Sequence, residues 1–550
     1  MHLGCWICFL SSIDQPIFLS MLFNSYIFIF VYLPIVFCGM FWLGRHSHRL
    51  AALWLGVASI VFYAAWDTRF VLLLLVSIAF NYGAGFWIGT HRAKNASKHA
   101  KYTLIAAIAV NLSLLGYFKY ANFFVVSGNQ LFGIHMPALD IILPLGISFF
   151  TFTQIAFLVD VHRGIAREYN FIHYLLFVTY FPHLIAGPVL HHKQMMPQFA
   201  NSATYRINAE HVAVGLTIFA LGLSKKVLIA DNLAQFATPI FNAAGDGQVL
   251  MLFEAWIGAL AYTLQLYFDF SGYSDMAIGL SLMFNVRLPM NFDSPYKATN
   301  IIEFWRRWHM TLSAFLRDYL YFPLGGNRKG TVRRYANLMA TMLLGGLWHG
   351  AGWSFIVWGG LHGLYLMINH GWRELKTRLS WREGGAFARL AAGALTFIAV
   401  VVAWVFFRAD SFSTAWSILS GMTGIHGVSL PTWLQGSQKI ALAGEILHVD
   451  VVFMGVAPIL HEDAGIALSS IFLTLLLVWL FPNVRQMLIN YKPIWEDMAD
   501  KPTPARAYSN RLTRMFIWRP TVGNALIYGL IFLACVFSLN KTSEFLYFQF

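Results

Sequence analysis

The sequence predicts an all-α polytopic membrane protein with about 11 to 13 transmembrane or re-entrant helices. The chain has 550 residues, of which 58% are hydrophobic and only 11% are charged. An ordinary soluble protein carries about 25% charged residues. Apolar runs approaching the roughly 20 residues that a helix needs to cross a bilayer recur along nearly the whole chain. Such a composition excludes a water-soluble globular fold.

The apolar runs define the predicted spans in chain order. Each run is dominated by Leu, Ile, Val and Phe and is bounded by polar or charged residues, which is the pattern of a membrane helix. The clearest runs lie at residues 26–44, 70–89, 139–159, 213–223, 355–368, 395–407, 468–481 and 526–539.

The basic residues indicate how the spans are oriented. The chain contains 38 Lys and Arg against 25 Asp and Glu, and this excess falls in short loops. Arg45 and Arg49 follow the first span, residues 91–102 carry four Lys and Arg, and Arg163 and Arg167 follow a later span. Cytoplasmic loops are enriched in Lys and Arg. The alternation therefore predicts an outer N-terminus and membrane lipid as the partner of these charges, with no nucleic acid.

Composition divides the chain into three predicted regions. Residues 1–20 lack the positive start of a signal peptide, and Met21 opens a more convincing first span, so residues 1–20 are interpreted as a leader or a mis-assigned start. Residues 21–420 form the predicted core. Residues 421–550 hold an outer loop, the last transmembrane helices and the C-terminal segment FLYFQF, here called the aromatic tail. The final span exits outward, which predicts this tail at the outer surface.

Ionisable residues interrupt the apolar sequence between residues 262 and 318. Asp269, Asp275, Arg306 and Arg307 are the candidates for lining an internal cavity, because charged groups at membrane depth usually face a cavity or a partner. The alternative is an amphipathic helix in the membrane interface, with the WRRW sequence as its anchor.

The sharpest feature is LLGGLWHGAGWSF, which contains His349. A helix starting near Ala336 reaches His349 after about 14 residues, or roughly 20 Å, and the sequence His-Gly-Ala-Gly then breaks it. A histidine at such a break combines water access with a pKa near neutrality, which suits a general base. The alternative is a structural histidine at a kink. Trp348 or a backbone N–H near Gly350 are candidates for stabilising an oxyanion.

His309, in FWRRWHMTLS, is the second candidate for a catalytic histidine. No HExxH motif or paired cysteines with metal-ligand spacing accompany either histidine, so no metal site is predicted. No G-x-S-x-G motif is present, which disfavours a serine hydrolase.

These motifs together resemble one family. The run YFDFSGYSDMAIGLSLMF, followed by NF, PY, FWRRWHMTLSAFLRDYLYFPLGGNRKG and LLGGLWHGAGWSFIVWGGLHG, is similar to the membrane-bound O-acyltransferase family, and most of all to its bacterial alginate O-acetyltransferase branch. Further matches are MLFNSYIFIFVYLP, LGYFKYANF, LPLGISFFTF, YFPHLIAGPVL and WVFFRADSF. The resemblance covers residues 21 to about 420 densely.

The resemblance implies a central acyl-transfer tunnel, with His349 as the catalytic histidine and His309 as its companion. It implies no bound cofactor, a donor substrate such as acetyl-CoA or another acyl thioester, and a multi-pass protein of the bacterial inner membrane. The expected partners are a periplasmic polysaccharide acetyltransferase of SGNH type and proteins of exopolysaccharide synthesis and secretion. The expected acceptor is alginate. Cellulose, another exopolysaccharide or peptidoglycan stay open, because the outer loop departs from the family pattern.

The aromatic tail has two interpretations. It is either an aromatic anchor at the outer interface or, by its resemblance to aromatic C-terminal motifs in acyl-export systems, a relay in which the Tyr547 hydroxyl accepts the acetyl group. Two functions from other classes also remain: a transporter or flippase, although the inverted repeats often seen there are not visible, and a scaffold for a secretion complex.

Overall fold

A computed structural model describes residues 21–94, 96–166, 170–185, 187–381, 384–496, 514–539 and 546. The described chain forms two compact units. The first contains the described parts of residues 1–219, 276–289 and 493–495, and the second contains those of residues 220–275, 290–492 and 496–550. Residues 1–20, the predicted leader or mis-assigned start, lie outside the described residues.

Helices make up most of the described chain. The first twelve α-helices are α1 (Leu33–Gly44), α2 (His48–Ala64), α3 (Val71–Ala93), α4 (Ser97–Leu115), α5 (Ala121–Phe132), α6 (Ile147–Arg163), α7 (Phe171–Thr179), α8 (Phe181–Leu184), α9 (His192–Ala200), α10 (Ala209–Ser224), α11 (Asp231–Gly245) and α12 (Leu252–Met283). The next ten are α13 (Ile301–Arg307), α14 (Met310–Leu316), α15 (Gly330–His349), α16 (Trp353–Arg378), α17 (Ala386–Arg408), α18 (Phe412–Met422), α19 (Gln438–Leu447), α20 (Ala464–Leu480), α21 (Val484–Met487) and α22 (Val522–Ser538).

Shorter elements join these helices. Wide π-helical turns lie at Phe28–Tyr32, Gly116–Tyr120, Lys225–Ala230 and Arg317–Tyr321. Short 3₁₀ turns lie at Thr68–Phe70, Ser202–Tyr205, Pro295–Lys297, Thr432–Leu434, Pro458–Asp463 and Ile489–Tyr491. Two short parallel strands, β1 (Val428–Ser429) and β2 (Val451–Val452), pair within the predicted outer loop.

Several helices begin at polar residues that cap their first turn. The side chains of Asn170, Asn300, Ser411 and Thr521 each accept a hydrogen bond from a backbone N–H of the helix that follows. These first-turn N–H groups have no carbonyl partner within the helix, so a capping side chain is favoured there.

Membrane helices are evident from length and from the side chains that they expose. Five described helical segments are long and apolar enough to cross a bilayer: Thr68–Ala93, Ser97–Phe132, Ala209–Gly245, Ala386–Arg408 and Pro458–Leu480. Three shorter apolar helices are Phe28–Gly44, His48–Ala64 and Val522–Ser538. Large apolar side chains such as Leu72, Phe86 and Trp87 are exposed on these helices, as expected where lipid replaces water. The polytopic helical fold is confirmed, and the total of 11 to 13 helices stays a prediction.

Buried amides join three helices of the first unit. Asn81 of α3 and Asn111 of α4 exchange two hydrogen bonds, at 3.1 and 2.7 Å. Gln154 of α6 donates to the hydroxyl of Ser77 on α3 at 2.9 Å. Apolar side chains alone give little orientation between membrane helices, because lipid is equally apolar. These amides therefore fix how α3, α4 and α6 face one another.

In the second unit, α15 and α16 pack backbone against backbone. A Cβ atom added at Gly346 would overlap the carbonyl oxygen of Phe355, and one at Gly359 would overlap that of Met342. Small residues allow this close approach of two membrane helices. The start of α15 differs from the expected start near Ala336, because α15 already begins at Gly330. The basic residues of the preceding loop therefore belong partly to the first turns of this helix.

The close α15–α16 contact predicts that Gly359→Ala lowers the thermal stability of the purified protein in detergent. The added methyl group has no room beside the Met342 carbonyl, and forced overpacking costs about 1 to 3 kcal/mol. Gly371 lies on the same helix and has no atom within 4 Å of a Cβ added there. Gly371→Ala is therefore the matched control, and equal melting temperatures for the two variants would contradict the prediction.

Candidate active site

The second unit places His349 at the last position of α15. The backbone then leaves the helix, because Gly350 is extended at φ −156° and ψ 148°, and α16 begins only at Trp353. A Cβ atom at Gly350 would overlap the ring of Phe355. The predicted helix break at His349 is confirmed, and the absence of a side chain at Gly350 allows the sharp turn.

Aromatic rings enclose the imidazole of His349. The ring centroids of Trp348, Trp358 and Phe407 lie 4.9, 5.0 and 5.3 Å from that of His349. The residue itself is only 6% exposed. These rings exclude bulk water, which strengthens electrostatic interactions at the imidazole.

His309 lies beside His349 in the same unit. It connects α13 to α14 in a left-handed conformation, at φ 42° and ψ 54°, and it is fully buried. The two imidazole centroids are 6.3 Å apart, and the ring of Phe270 lies 4.8 Å from His309 on its other flank. A non-glycine residue at positive φ is uncommon, and such strain tends to occur at functional sites.

Asn291 determines which nitrogen of His309 carries a proton. Its Oδ1 atom accepts hydrogen bonds from the N–H and the hydroxyl of Thr311, at 3.3 and 2.7 Å. These two donors identify this atom as the amide oxygen. His309 Nδ1 lies 3.2 Å from the same oxygen and must therefore donate to it. In the neutral imidazole, Nε2 is then the basic nitrogen.

The predicted cavity-lining charges separate into different places. Asp269 and Asp275 each form an ion pair with a lysine. The ammonium nitrogen of Lys226 lies 2.7 Å from a carboxylate oxygen of Asp269, and that of Lys225 lies 2.5 Å from one of Asp275. Arg307 pairs with Glu303 on α13 at 2.7 Å. The structure brings together His349, His309 and Trp348, whereas Asp269, Asp275 and Arg307 belong to ion pairs. Their functional roles stay predictions.

Arg306 is exposed on α13 and lies in a second group of cations. Arg306, Arg334 and Arg373 are all close enough to His370 to act on it electrostatically. Within the described part of the chain, no carboxylate forms an ion pair with any of these three arginines. Arg334 instead donates to the hydroxyl of Tyr335 at 3.4 Å.

Sequence reasoning missed Asn291 and the lysines as site residues. Asn291 lies in the NF motif that marks the family resemblance, but a single asparagine carries no signal of its hydrogen-bond partner. Lys225 and Lys226 were a detectable signal, because two adjacent lysines interrupt an apolar helix. Tyr547 lies outside the described residues. No group of three or more His, Cys, Asp and Glu is arranged to hold a metal ion among the residues that the structure describes.

The site combines two buried imidazoles, a break at the end of a helix and an aromatic enclosure. Irregular backbone at membrane depth occurs where protein or water satisfies its polar groups. An imidazole in such a place can take a proton from a hydroxyl and return it to a leaving group. The arrangement therefore suits group transfer within the membrane.

Comparison with known proteins finds similarity to membrane O-acyltransferases. The model of MBOAT, the membrane-bound O-acyltransferase family, matches residues 42–409. The chain is 44% identical to the peptidoglycan O-acetyltransferase of Helicobacter pylori, over 74% of this chain and 81% of that protein. It is 46% identical to the probable alginate O-acetylase AlgI of Pseudomonas aeruginosa, over 75% and 76% of the two chains. Identity to the Pseudomonas putida protein of the same name is 39%, over 96% and 100%.

The geometry predicts that Asn291→Leu lowers acyl transfer by about 10- to 100-fold, because the N–H of His309 loses its acceptor and the imidazole its fixed orientation. The rate is measured in membranes and normalised to the amount of protein. Thr311→Val is the matched control, since it removes a hydroxyl from the same oxygen but leaves the histidine contact intact. An equal loss in both variants would show that Asn291 acts only by holding the local fold.

Proposed function

Since the chain belongs to the membrane-bound O-acyltransferase family, we propose that this O-acyltransferase moves acetyl groups from a cytoplasmic thioester across the bacterial inner membrane. The acetyl groups then modify a polysaccharide outside that membrane. The observation that carries the proposal is the position of His349, which is buried at a helix break beside a second histidine.

In the proposed reaction, His349 acts as the general base. It takes the proton from an acceptor hydroxyl, whose oxygen attacks the carbonyl carbon of the thioester. A C–O bond forms, the C–S bond breaks, and the proton passes from His349 to the leaving thiolate. General base catalysis of this kind contributes about 10²- to 10⁴-fold. His309, with its Nδ1 proton fixed by Asn291, orients the site from 6.3 Å away.

Three arginines without carboxylate partners support a donor that carries phosphate. Arg306, Arg334 and Arg373 lie within electrostatic range of His370 without a carboxylate partner among the described residues, and the arginine guanidinium binds phosphate through paired, charge-assisted hydrogen bonds. Acetyl-CoA and a carrier protein with a phosphopantetheine arm both combine a thioester with phosphate. The Lys and Arg distribution of the sequence assigns this end of α16 to the cytoplasm, where both donors occur.

Relatives of this chain name two candidate polymers. The proteins from Pseudomonas are named for alginate, and the protein from Helicobacter pylori is named for peptidoglycan, at similar identity. Alginate is the first polymer proposed here, and peptidoglycan is the second. A periplasmic acetyltransferase of SGNH type is the proposed partner that completes the transfer to sugar.

His349→Ala is expected to abolish transfer of label from acetyl-CoA, or from an acetylated carrier protein, in inverted inner-membrane vesicles. It is also expected to remove acetyl esters from the cell's alginate or peptidoglycan. The physical reason is the loss of the only proposed base for the acceptor hydroxyl. His448→Ala, at an exposed position of the outer loop, is the control variant.

The same assay separates the competing functions. A transporter moves the donor without forming an ester, so labelled donor would accumulate inside the vesicles without covalent product. A scaffold would tolerate the loss of the imidazole. Normal acetyl content in the polymer from cells with the His349→Ala variant would therefore exclude His349 from the mechanism. Label transferred from neither donor would contradict the proposed thioester substrate.

The aromatic tail supplies the proposed acceptor, the hydroxyl of Tyr547. An acetylated phenol is a better donor than a sugar ester, because a phenol of pKa about 10 leaves more readily than an alkoxide. Tyr547→Phe retains the ring and deletes only the oxygen. Polymer acetylation is expected to fall below about one tenth of wild type, with unchanged protein levels. Full acetylation in this variant would leave the aromatic tail as a hydrophobic anchor.

A further inference from the structure

An ionic cluster is buried among the helices of the second unit. The ammonium of Lys226 lies 2.8 Å from a carboxylate oxygen of Asp231 and 2.7 Å from one of Asp269. The three residues are 1%, 9% and 2% exposed. Charges are rarely buried in membrane helices without a functional reason. These three residues are called the Lys226 cluster below.

Two local features of the chain create this cluster. The π-helical turn Lys225–Ala230 ends in a hydrogen bond from the N–H of Asp231 to the carbonyl of Lys226, which puts residues five apart on one side. On α12, a Cβ atom at Gly272 would lie 2.8 Å from the carbonyl oxygen of Gly222. The two helices therefore approach closely enough for Lys226 to reach Asp269. Wide turns of this kind are frequent at functional sites.

The Lys226 cluster contacts the end of the chain. The second carboxylate oxygen of Asp269 accepts a hydrogen bond from the backbone N–H of Leu546, at 3.3 Å. Leu546 is 7% exposed and belongs to the apolar core of the second unit. A charge-assisted hydrogen bond and an apolar side chain thus hold Leu546 in the protein interior. The side of the membrane on which the aromatic tail lies stays a prediction.

The contact lies next to the candidate active site. Asp269 is followed in α12 by Phe270, whose ring is 4.8 Å from His309. Consecutive Cα atoms are about 3.8 Å apart. Asp269, which binds the tail, and Phe270, which contacts His309, are therefore neighbours on α12. Leu546 in turn directly precedes Tyr547 in the sequence.

We propose that the Lys226 cluster is a docking site for the aromatic tail, and that Asp269 is a positioning residue that binds the backbone of Leu546. Lys226 and Asp231 hold the Asp269 carboxylate in place, so that its second oxygen faces the tail. The inference rests on the proposed function in one respect: the aromatic tail carries the proposed acceptor, the hydroxyl of Tyr547. Because Asp269 accepts its hydrogen bond from the backbone, the contact depends on the position of the main chain at Leu546 and not on the identity of one side chain.

The test measures docking independently of activity. A full-length chain with its four native cysteines replaced by serine receives Leu546→Cys, and the rate of alkylation by a membrane-permeant maleimide is followed. In the Asp269→Asn background the rate is expected to rise about tenfold or more, because the single amide oxygen cannot accept from both Lys226 and Leu546 and the hydrogen bond of Leu546 to a charged group is lost. Asp275→Asn, which breaks the neighbouring ion pair with Lys225, is expected to leave the rate within about twofold.

A second pair of variants tests the backbone contact itself. Leu546→Pro removes the N–H that Asp269 accepts, whereas Leu546→Ala keeps it. Acyl transfer is expected to fall about tenfold further in the proline variant than in the alanine variant. An alkylation rate that Asp269→Asn leaves unchanged would overturn the dock. Where Tyr547→Phe is inactive, equal transfer in the proline and alanine variants would overturn it as well.

Failure of the relay gives a different result. If Tyr547→Phe remains fully active, the relay is excluded, and the alkylation rates alone still decide whether the Lys226 cluster docks the tail. If Tyr547→Phe is inactive while the alkylation rate in the Asp269→Asn background equals that of the parent chain, the relay stands and the dock is excluded.

Discussion

Polar groups that this chain buries among apolar helices are stabilised by partners within the protein, and several contacts between helices depend on that constraint. A hydrocarbon environment offers no hydrogen bonds. In the first unit, Asn81 and Asn111 satisfy each other. In the second, Lys226 lies between two carboxylates, and His309 donates to Asn291. Such partners specify helix orientation where apolar contacts alone would not.

The same constraint explains the helix break at His349. Residues 350–352 leave the helix, which frees backbone groups that a continuous α-helix would have paired. The close contact of α15 with α16 through Gly346 and Gly359 and the aromatic rings around His349 enclose this irregular segment in protein. Close packing around the break thus limits the room in which the imidazole of His349 can move.

Much of the architecture could be predicted from the sequence, because membrane helices leave a strong one-dimensional signal. The helix that ends at His349 was located by its apolar run and by the glycines that follow. Its start was misplaced, because Arg333 and Arg334 look like loop residues although they occupy the first turns of α15. Helix ends are set by local hydrogen bonds, to which a count of hydrophobic residues is insensitive.

Contacts between residues distant in the chain could not be predicted from the sequence, since only the packed helices bring Asn291 to His309 or Lys226 to Asp269. Charge counting could assign the aromatic tail to a side of the membrane, but its hydrophobic residues can be buried in lipid or in protein at similar gain.

A single helix, α12, connects these observations. Its residue 269 binds the backbone of Leu546, and its residue 270 contacts His309. Any displacement of this part of α12 therefore moves the tail contact and one wall around His309 together. The buried ion pair of Lys226 with Asp269 of α12 resists such displacement, because separating it would leave charges unpaired in a medium of low dielectric constant. Lys226, which interrupts an apolar helix, thus helps to hold the part of α12 that contacts both Leu546 and His309.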